Sequence, residues 1–315
     1  MSTGAGGPTI GVFVVCYNQA RFVTETLDSM LAQTRPPDRV ICVDDHSTDR
    51  SREVISRWLE EHGLTGHWET MFNPRNIGLC PSINAAVRRL GDVEQVAMVA
   101  GDDRWLPDKL ERQSAQLAAL PEDVGAVYSD ALMIDESGSP LPGRFIATRR
   151  PGPPPEGRIF EVLLEGNFIP APGVMLRRSA IEATGPWDEG LPWEDWDYWL
   201  RLTRRYRFAY TPEPTVEYRV VGSSMVGGLA KEARLRAHAV MFAKHLGASP
   251  ETDRRIVPMV RAWVDELYRR GVSDRRAYLA GLRTRPRLRR RLAWGLAMAG
   301  IKRRVLRGEI GEPPV

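Results

Sequence analysis

The segment VAMVAGDDRWLPDKL, residues 96–110, runs an apolar stretch into two adjacent carboxylates, Asp102 and Asp103, before a helical pattern resumes. Two earlier apolar stretches end in the same abrupt way: VVCYN in Tyr17 and Asn18, and VICVDD in Asp44 and Asp45. Carboxylates gathered in one crevice repel each other, and a divalent cation or a donor-rich ligand such as a nucleotide base and ribose relieves that repulsion. Farther along, WEDWDYWLRL sets Glu194, Asp195 and Asp197 at the start of a helical stripe. A carboxylate there can take a proton from a hydroxyl nucleophile. The bland alternative is that these acids complement the helix dipole, worth only about 0.3 to 1 kcal/mol each. Asp after a strand is equally a turn former and helix cap. Neither GxxxxGK[ST] nor GxGxxG follows a strand, so the phosphates of a ligand would be held otherwise, for instance by a carboxylate-bound metal bridging a diphosphate.

Such residues need elements to position them. Short β-branched runs alternate with helical patterns through the first 130 residues, which is the rhythm of a mainly parallel sheet flanked by helices. TIGVFVVCYN, RVICVDD, HWETMFN, EQVAMVAGDD and DVGAVYSDALMID predict strands. Helical spacing marks Val23, Leu27, Met30 and Leu31; then Val54, Ile55, Trp58 and Leu59, after candidate Ser and Thr caps in HSTDRS; then Ile83, Val87 and Leu90. LPDKLERQSAQLAAL predicts a helix with Pro107 near its start. In open α/β sheets ligands bind beyond the carboxyl ends of the strands, so parallel neighbours would bring these polar ends to one edge. TRRPGPPPEGR, residues 148–158, is too rich in Pro and Gly for regular structure and predicts an exposed loop. APGVMLRRSAIEATG predicts a strand and a short helix, and from about residue 227 the pattern turns helical and basic.

The chain of 315 residues is 43% hydrophobic and 27% charged, ordinary values for a globular protein with a large core. Its net charge of +4 is uneven: residues 281–315 hold ten Arg or Lys against two Glu, a net +8, which leaves −4 for the rest. A body of negative charge without an aromatic-interleaved basic stripe argues against nucleic acid as a partner. No apolar run is long enough to span a bilayer and MSTGAGGPTIG lacks a secretory pattern, so the cytoplasm is the expected compartment. Cys16, Cys42 and Cys80 lack metal-ligand spacing and are expected as free core thiols. The five histidines form no HxH or HExxH, and His238 and His245 are expected on one helix as surface or packing residues. The tail RPRLRRRLAWGLAMAGIKRRVLRG mixes apolar residues with Arg and Lys. Docking on the body is the preferred expectation, because Ala and Gly dominate its apolar centre; peripheral contact with the inner face of a membrane through residues 281–307 is the competing one.

VVCYNQARFVTETLDSMLAQT, VICVDDHSTDRS, NPRNIGLCPSINAAV, VAGDDRWLPDKLERQ and GPWDEGLPWEDWDYWLRL follow the order and rough spacing of family 2 glycosyltransferases, which the chain resembles over about residues 8–225. The resemblance implies a GT-A fold of α/β class, with a Rossmann-like, mainly parallel central sheet. It places a catalytic domain at 1–226, with a nucleotide-sugar-binding half at 1–130 and an acceptor-binding half at 131–226, followed by a helical extension at 227–315. It also implies an inverting, hexosyltransferase-type enzyme that uses a nucleoside-diphosphate sugar, a divalent metal (Mn2+ or Mg2+) and a hydroxyl acceptor on a small molecule, glycan or peptide.

Carried over position by position, Tyr17 and Asn18 match residues that contact the nucleoside, and Asp45, with Asp44 beside it, matches the acid that reads the base. Asn76 and Gly78 match a loop that shapes the donor pocket. Asp103 is the expected metal ligand, and Asp102 is given a ribose or metal-linked role. Asp195 matches the general base, with Glu194 orienting acceptor or donor. Among the tryptophans, Trp196 and Trp199 share a helical face and suggest packing, whereas Trp193 is the candidate acceptor platform. EYRVVGSSMVGG resembles the family's later Tyr-Arg…Ser segment, in which Arg219 would approach the diphosphate and the glycines would form a lid. One departure stands out: Ala100 and Gly101 precede the acidic pair where most relatives have Asp, any residue, Asp. The metal's ligand set therefore stays open, as do two alternatives, a polyprenyl-phosphate acceptor at the membrane face and a non-catalytic nucleotide-sugar-binding protein. A sugar nucleotidyltransferase is disfavoured because its glycine-rich first loop is missing after VVC.

Overall fold

Every residue of IGVFVVC is buried in strand β1 (Ile10–Cys16), as expected of a strand covered on both faces, whose side chains must all be apolar. Strand β2 (Arg39–Asp44) and strand β4 (Gln95–Ala100) flank it, both parallel, and β3 (Glu69–Phe72) extends the sheet beyond β2. The computed structural model describes residues 7–222 and 230–299, and its contacts divide the chain into two units, Met1–Gly222 and Ser223–Val315.

Past β4 the sheet changes character. Strand β8 (Val174–Arg177) lies antiparallel between β4 and β6 (Val124–Ile134), and β6 pairs in parallel with β9 (Arg207–Arg219). The two-residue β5 (Arg104–Trp105) adds to β9 and β7 (Pro140–Arg144) to β6, both antiparallel. The order is β3-β2-β1-β4-β8-β6-β9-β5. The mainly parallel arrangement thus holds for β1 to β4 and gives way to a mixed sheet. The reason is topological: the chain leaves β6 at the edge where β1, β2 and β4 end and re-enters β8 from that same edge, so it runs the opposite way.

Helices α1 (Val23–Leu31), α2 (Ser51–Glu61), α3 (Leu79–Arg89) and α4 (Lys109–Ala119) cover the sheet. Helix α1 buries Val23, Thr26, Leu27 and Met30, whereas Leu31 remains exposed. The expected Ser or Thr cap of α2 is absent, since its N-cap residue is Arg50 and Ser47 serves Asp44 instead. The buried Lys109 ammonium donates to Gln113 Oε1, and Gln113 donates to the carbonyl of Gly173 at 2.8 Å, tying α4 to the turn before β8. Three shorter helices, α5 (Phe160–Leu163), α6 (Arg178–Thr184) and α7 (Asp195–Thr203), complete this unit. Here Trp187 stacks on Tyr198 with ring centroids 3.7 Å apart. Residues 148–158 carry no helix or strand and are mostly exposed. The three cysteines are free and buried, and burial pushes the Cys16 and Cys42 thiols up to about 12.

The second unit contains α8 (Lys231–Ala243), α9 (Pro250–Arg269), α10 (Arg275–Arg283) and α11 (Leu288–Met298). Ser249 caps α9 by accepting from the Thr252 N–H at 3.0 Å, and Asp274 caps α10 through Ala277 N–H at 2.9 Å. Its buried side chains include Phe242, Val260, Val264, Tyr278 and Trp294. His238 packs against Trp263, 5.2 Å between rings, and His245 is buried in the turn after α8 rather than on it. Among the described residues no helix is long and apolar enough to cross a membrane. The glycines of SSMVGG and residues 300–307 of the basic tail lie outside the described residues.

Candidate active site

The registers bring the polar strand ends to one edge: Cys16 pairs with Asp44, Val15 with Ala100, and Phe72 with Asp44. Residues 17–18, Asp45, Asn73 and the 102–103 pair follow directly. The first of these groups is knitted together by its own chain. Asn18 sits at φ 54°; its Oδ1 accepts from the N–H groups of Thr48 at 2.7 Å and Asp49 at 3.3 Å, and its N–H donates to Ser47 Oγ at 2.9 Å. Asp44, fully buried, accepts from Arg52 Nε at 2.6 Å, from the Ser47 N–H at 2.9 Å and from the Ser47 hydroxyl. Asp45 Oδ1 accepts from Asn73 Nδ2 at 2.8 Å and the Ile77 N–H at 2.9 Å, and its Oδ2 from the Gly78 N–H at 2.8 Å. Gly78 has φ 97°, a conformation that residues with a Cβ rarely adopt, and the turn that points two successive N–H groups at one carboxylate depends on it. Asp45 therefore fixes the loop 73–78. Tyr17 and Asn76 stand exposed beside it.

The second group is built differently. Gly101 crosses close to β1: a Cβ on it would stand 2.7 Å from Gln19 Oε1 and 3.3 Å from Cys16 Sγ, which accounts for Gly before the acidic pair. Asp103 is 3% exposed, with Oδ1 accepting from the Arg219 N–H at 2.9 Å and its carbonyl accepting from Thr26 Oγ1 at 2.8 Å. Arg219 is not a solvated surface residue. Its side chain is buried: Nε donates to the Asp102 carbonyl at 2.8 Å, Nη2 to the part-exposed Glu25 at 2.7 Å and Nη1 to the Asp135 carbonyl at 3.1 Å. It braces the acidic turn from behind.

Glu194 and Asp195 open α7. Asn84 on α3 locks the approach to that helix, exchanging hydrogen bonds of 2.9 and 3.0 Å with the Trp187 backbone. Asn167 Nδ2 then donates to Asp195 Oδ2, and the Trp196 N–H to Asp195 Oδ1, each at 2.6 Å. Trp193 is 7% exposed and Trp199 fully buried, and Trp196 donates to the Leu163 carbonyl at 2.8 Å. Trp193 thus presents little of its ring to solvent.

Electrostatics joins the two acidic turns. Burial raises the Asp102 carboxyl, against a hydrogen bond from Gln19 and the Arg219 charge. Burial, then the Asp102 charge, holds Asp103 well above the carboxylate range; the Arg219 N–H and charge oppose this and Glu194 adds to it. Glu194 is pushed up to about 8 by burial and by the negative charge of Asp195. Asp195 is raised by burial, opposed by the Trp196 N–H, Asn167 and the Arg149 charge. Tyr218 is raised by burial and then chiefly by Asp103, with Asp102 and Asp195 contributing. Asp102, Glu194 and Asp195 are each partly exposed, and the fields of Glu194 at Asp103 and of Asp102, Asp103 and Asp195 at Tyr218 bring the two turns into one neighbourhood.

These are hard oxygen donors with too little positive charge among them, a set that suits Mg2+ or Mn2+. Among the described residues no three His, Cys, Asp or Glu side chains cluster closely enough to hold a metal. Among the described residues the site thus offers at most a pair of carboxylates, which fits an ion that keeps waters and takes phosphate oxygens from a ligand. Five participants are not singled out by the sequence: Gln19, Asn73, Arg149, Asn167 and Tyr218. Gln19, Asn73 and Tyr218 lie inside segments that carry the family resemblance, Arg149 lies in the Pro- and Gly-rich loop, and Asn167 lies in no segment with a signal.

Comparison with known proteins places this geometry. A Bacillus subtilis protein named as the putative teichuronic acid biosynthesis glycosyltransferase TuaG is 27% identical over 232 residues, covering 72% of this chain and 85% of that protein. An uncharacterized glycosyltransferase of Nostoc sp. is 29% identical over 197 residues, but the match spans only 56% of its length. Among solved structures, the mannosyltransferase PcManGT from Pyrobaculum calidifontis, in complex with GDP-Man and Mn2+, has a TM-score of 0.56 at 19% identity, covering 98% of this chain and 78% of that one. TarS 1–349 of S. aureus, in complex with UDP, has a TM-score of 0.58 at 14% identity, covering 98% and 94%. These structural likenesses establish the GT-A fold. The pattern that defines glycosyl transferase family 2 matches residues 11–185, more than half of the chain, and on that ground the protein is a glycosyltransferase that belongs to family 2.

Proposed function

We propose that the protein is an inverting glycosyltransferase that moves a sugar from a nucleoside-diphosphate donor to an acceptor hydroxyl by direct displacement, with Asp195 as general base. The observation that carries this reading is the excess of carboxylates gathered between the turn after β4 and the start of α7. Asp102, Asp103, Glu194 and Asp195 all hold protons more tightly than free carboxyls do, while the Arg219 side-chain donors are directed at carbonyls and Glu25. The donor class is carried over from solved neighbours holding GDP-Man, UDP and UDP-GlcNAc.

In this reading Tyr17, Asn18 and the loop fixed by Asp45, with Asn76 at its exposed tip, receive the nucleoside. Asp102 and Asp103 would hold a divalent cation; Asp103 Oδ1 is engaged with the Arg219 N–H, so Asp102 presents the more open carboxylate. When bound, that cation neutralises charge on the departing diphosphate. Asn167 and the Trp196 N–H fix the orientation of the Asp195 carboxylate. A carboxyl raised toward neutrality is a more effective proton acceptor than an ordinary one. The acceptor hydroxyl gives its proton to Asp195, its oxygen bonds to the anomeric carbon, and the bond from that carbon to the diphosphate breaks on the opposite face. Glu194 orients sugar hydroxyls, and buried Trp193 supports the wall behind them.

The test is a thermal-shift panel of UDP, GDP and dTDP sugars with Mn2+ or with a chelator, followed by proton NMR of the product linkage. One nucleotide class should stabilise the protein with Mn2+ and lose that effect with chelator, and the product should carry the opposite anomeric configuration. Retained configuration would remove the single-displacement mechanism, and chelator-insensitive binding would remove the cation.

A further inference from the structure

Helix α11 divides its residues between two environments. Trp294 and Ala297 are buried, Trp294 lying over Gly281 of α10, and Arg290 pairs with Asp265 of α9 at 2.9 Å. On the opposite side, Leu288 and Leu292 are 67% and 59% exposed, the two most exposed large apolar side chains among the described residues. They stand one turn apart on one face, with the partly exposed Leu296 one turn further on. Arg291 and Arg289, both exposed, lie along the two margins of that stripe. Residues 283–291, RTRPRLRRR, hold six arginines, and no Asp or Glu occurs from 284 to 299.

The geometry points to α11 as an interfacial helix that docks the protein on an anionic lipid surface. A stripe of leucines bordered by arginines is what such a surface accepts: the apolar side chains enter the acyl boundary and the guanidinium groups remain among the phosphates. Other occupants fit less well. The exposed leucines fall far short of the roughly 800 Å² per partner that a stable protein interface buries. Nucleic acid would call for aromatic stacking platforms beside the arginines, and the exposed face has none. One face of α11 thus packs within its own helical unit, and the other is left for lipid. The inference rests on the helical unit alone and holds whatever acceptor the catalytic unit uses.

The test uses the full chain with vesicles of phosphatidylcholine alone and of phosphatidylcholine mixed with an equal part of phosphatidylglycerol. The protein should co-sediment with the mixed vesicles only. Leu288→Ser with Leu292→Ser, which leaves the charge unchanged, should lower that partitioning by about tenfold or more. Arg289→Gln should lower it about fivefold. Leu292→Cys carrying a polarity-sensitive fluorophore, selective because the native cysteines are buried, should shift to shorter wavelength on the mixed vesicles. Circular dichroism of each variant checks that the fold is kept. Equal binding by the double leucine variant, no binding to either vesicle, or concentration-dependent dimerisation through the labelled face in place of binding would each overturn the proposal.

Discussion

Strands β2 and β4 flank β1 on either side, and each ends in a pair of acids that the protein treats in opposite ways. Asp44 and Asp45 meet donors from their own neighbourhood: an arginine, an asparagine, a serine and three backbone N–H groups. Asp102 and Asp103 meet Gln19 and Arg219, and Asp103 then feels the charge of Glu194, which in turn neighbours Asp195. The first pair is complete as it stands and shapes backbone. The second keeps an uncompensated repulsion, which the proposed cation would relieve. Acidity at a strand end is thus no guide to its use; the donor supply around it is.

The comparison can be broken most sharply at Asp195. Asp195→Asn should lower transfer by about 10²- to 10⁴-fold with donor affinity within a few-fold, read by labelled-sugar transfer and calorimetric titration; retained turnover would remove Asp195 as the base. Asp102→Asn should weaken Mn2+-supported nucleoside-diphosphate binding on the order of tenfold or more, while its melting temperature holds or rises because like charges have been relieved. An unchanged titration would count against the cation assignment. Asp44→Asn should do the reverse, costing about 1 to 3 kcal/mol in denaturant unfolding with nucleotide affinity within a few-fold; Arg52 is partly exposed, which keeps the loss below that of a fully buried pair.

The smallest effect is a pH dependence. Glu194 is raised from 4.5 to about 8, so the folded protein holds a proton that the unfolded chain releases. Its contribution to stability is complete below about pH 4.5 and is lost as pH rises through about 8. Without metal, Glu194→Gln should therefore melt increasingly above the wild type across that window, and Mn2+ should narrow the gap. Parallel melting curves at all pH values would show that Glu194 does not carry the repulsion.

Much of the donor-side half was legible because its strands are short, almost wholly apolar and punctuated by polar residues, as in IGVFVVC and QVAMVA. Strand β9 was not: RFAYTPEPTVEYR carries two prolines and several charges, yet pairs with β6 across a register shift between Ser129 and Ala131. Strand β7, PLPGR, survives at the sheet margin, where missing N–H groups cost little. The role of Arg219 was hidden for another reason. Its partners come from α1, the 102–103 turn and the turn after β6, and no local pattern announces that three distant segments meet. Asn167 and Arg149 act on Asp195 in the same long-range way, whereas Asp195 itself lies in a segment that carries the family resemblance.

The clasp between Asp45 and the backbone at Ile77 and Gly78 has an evolutionary corollary. With Asn73 anchored at one end and Gly78 at the other, the exposed Pro74, Arg75 and Asn76 form an exchangeable insert whose composition can drift without disturbing the sheet beneath. If the proposed nucleoside site is right, those three positions are where a change of sequence would alter the surface offered to a nucleobase at least cost to the fold.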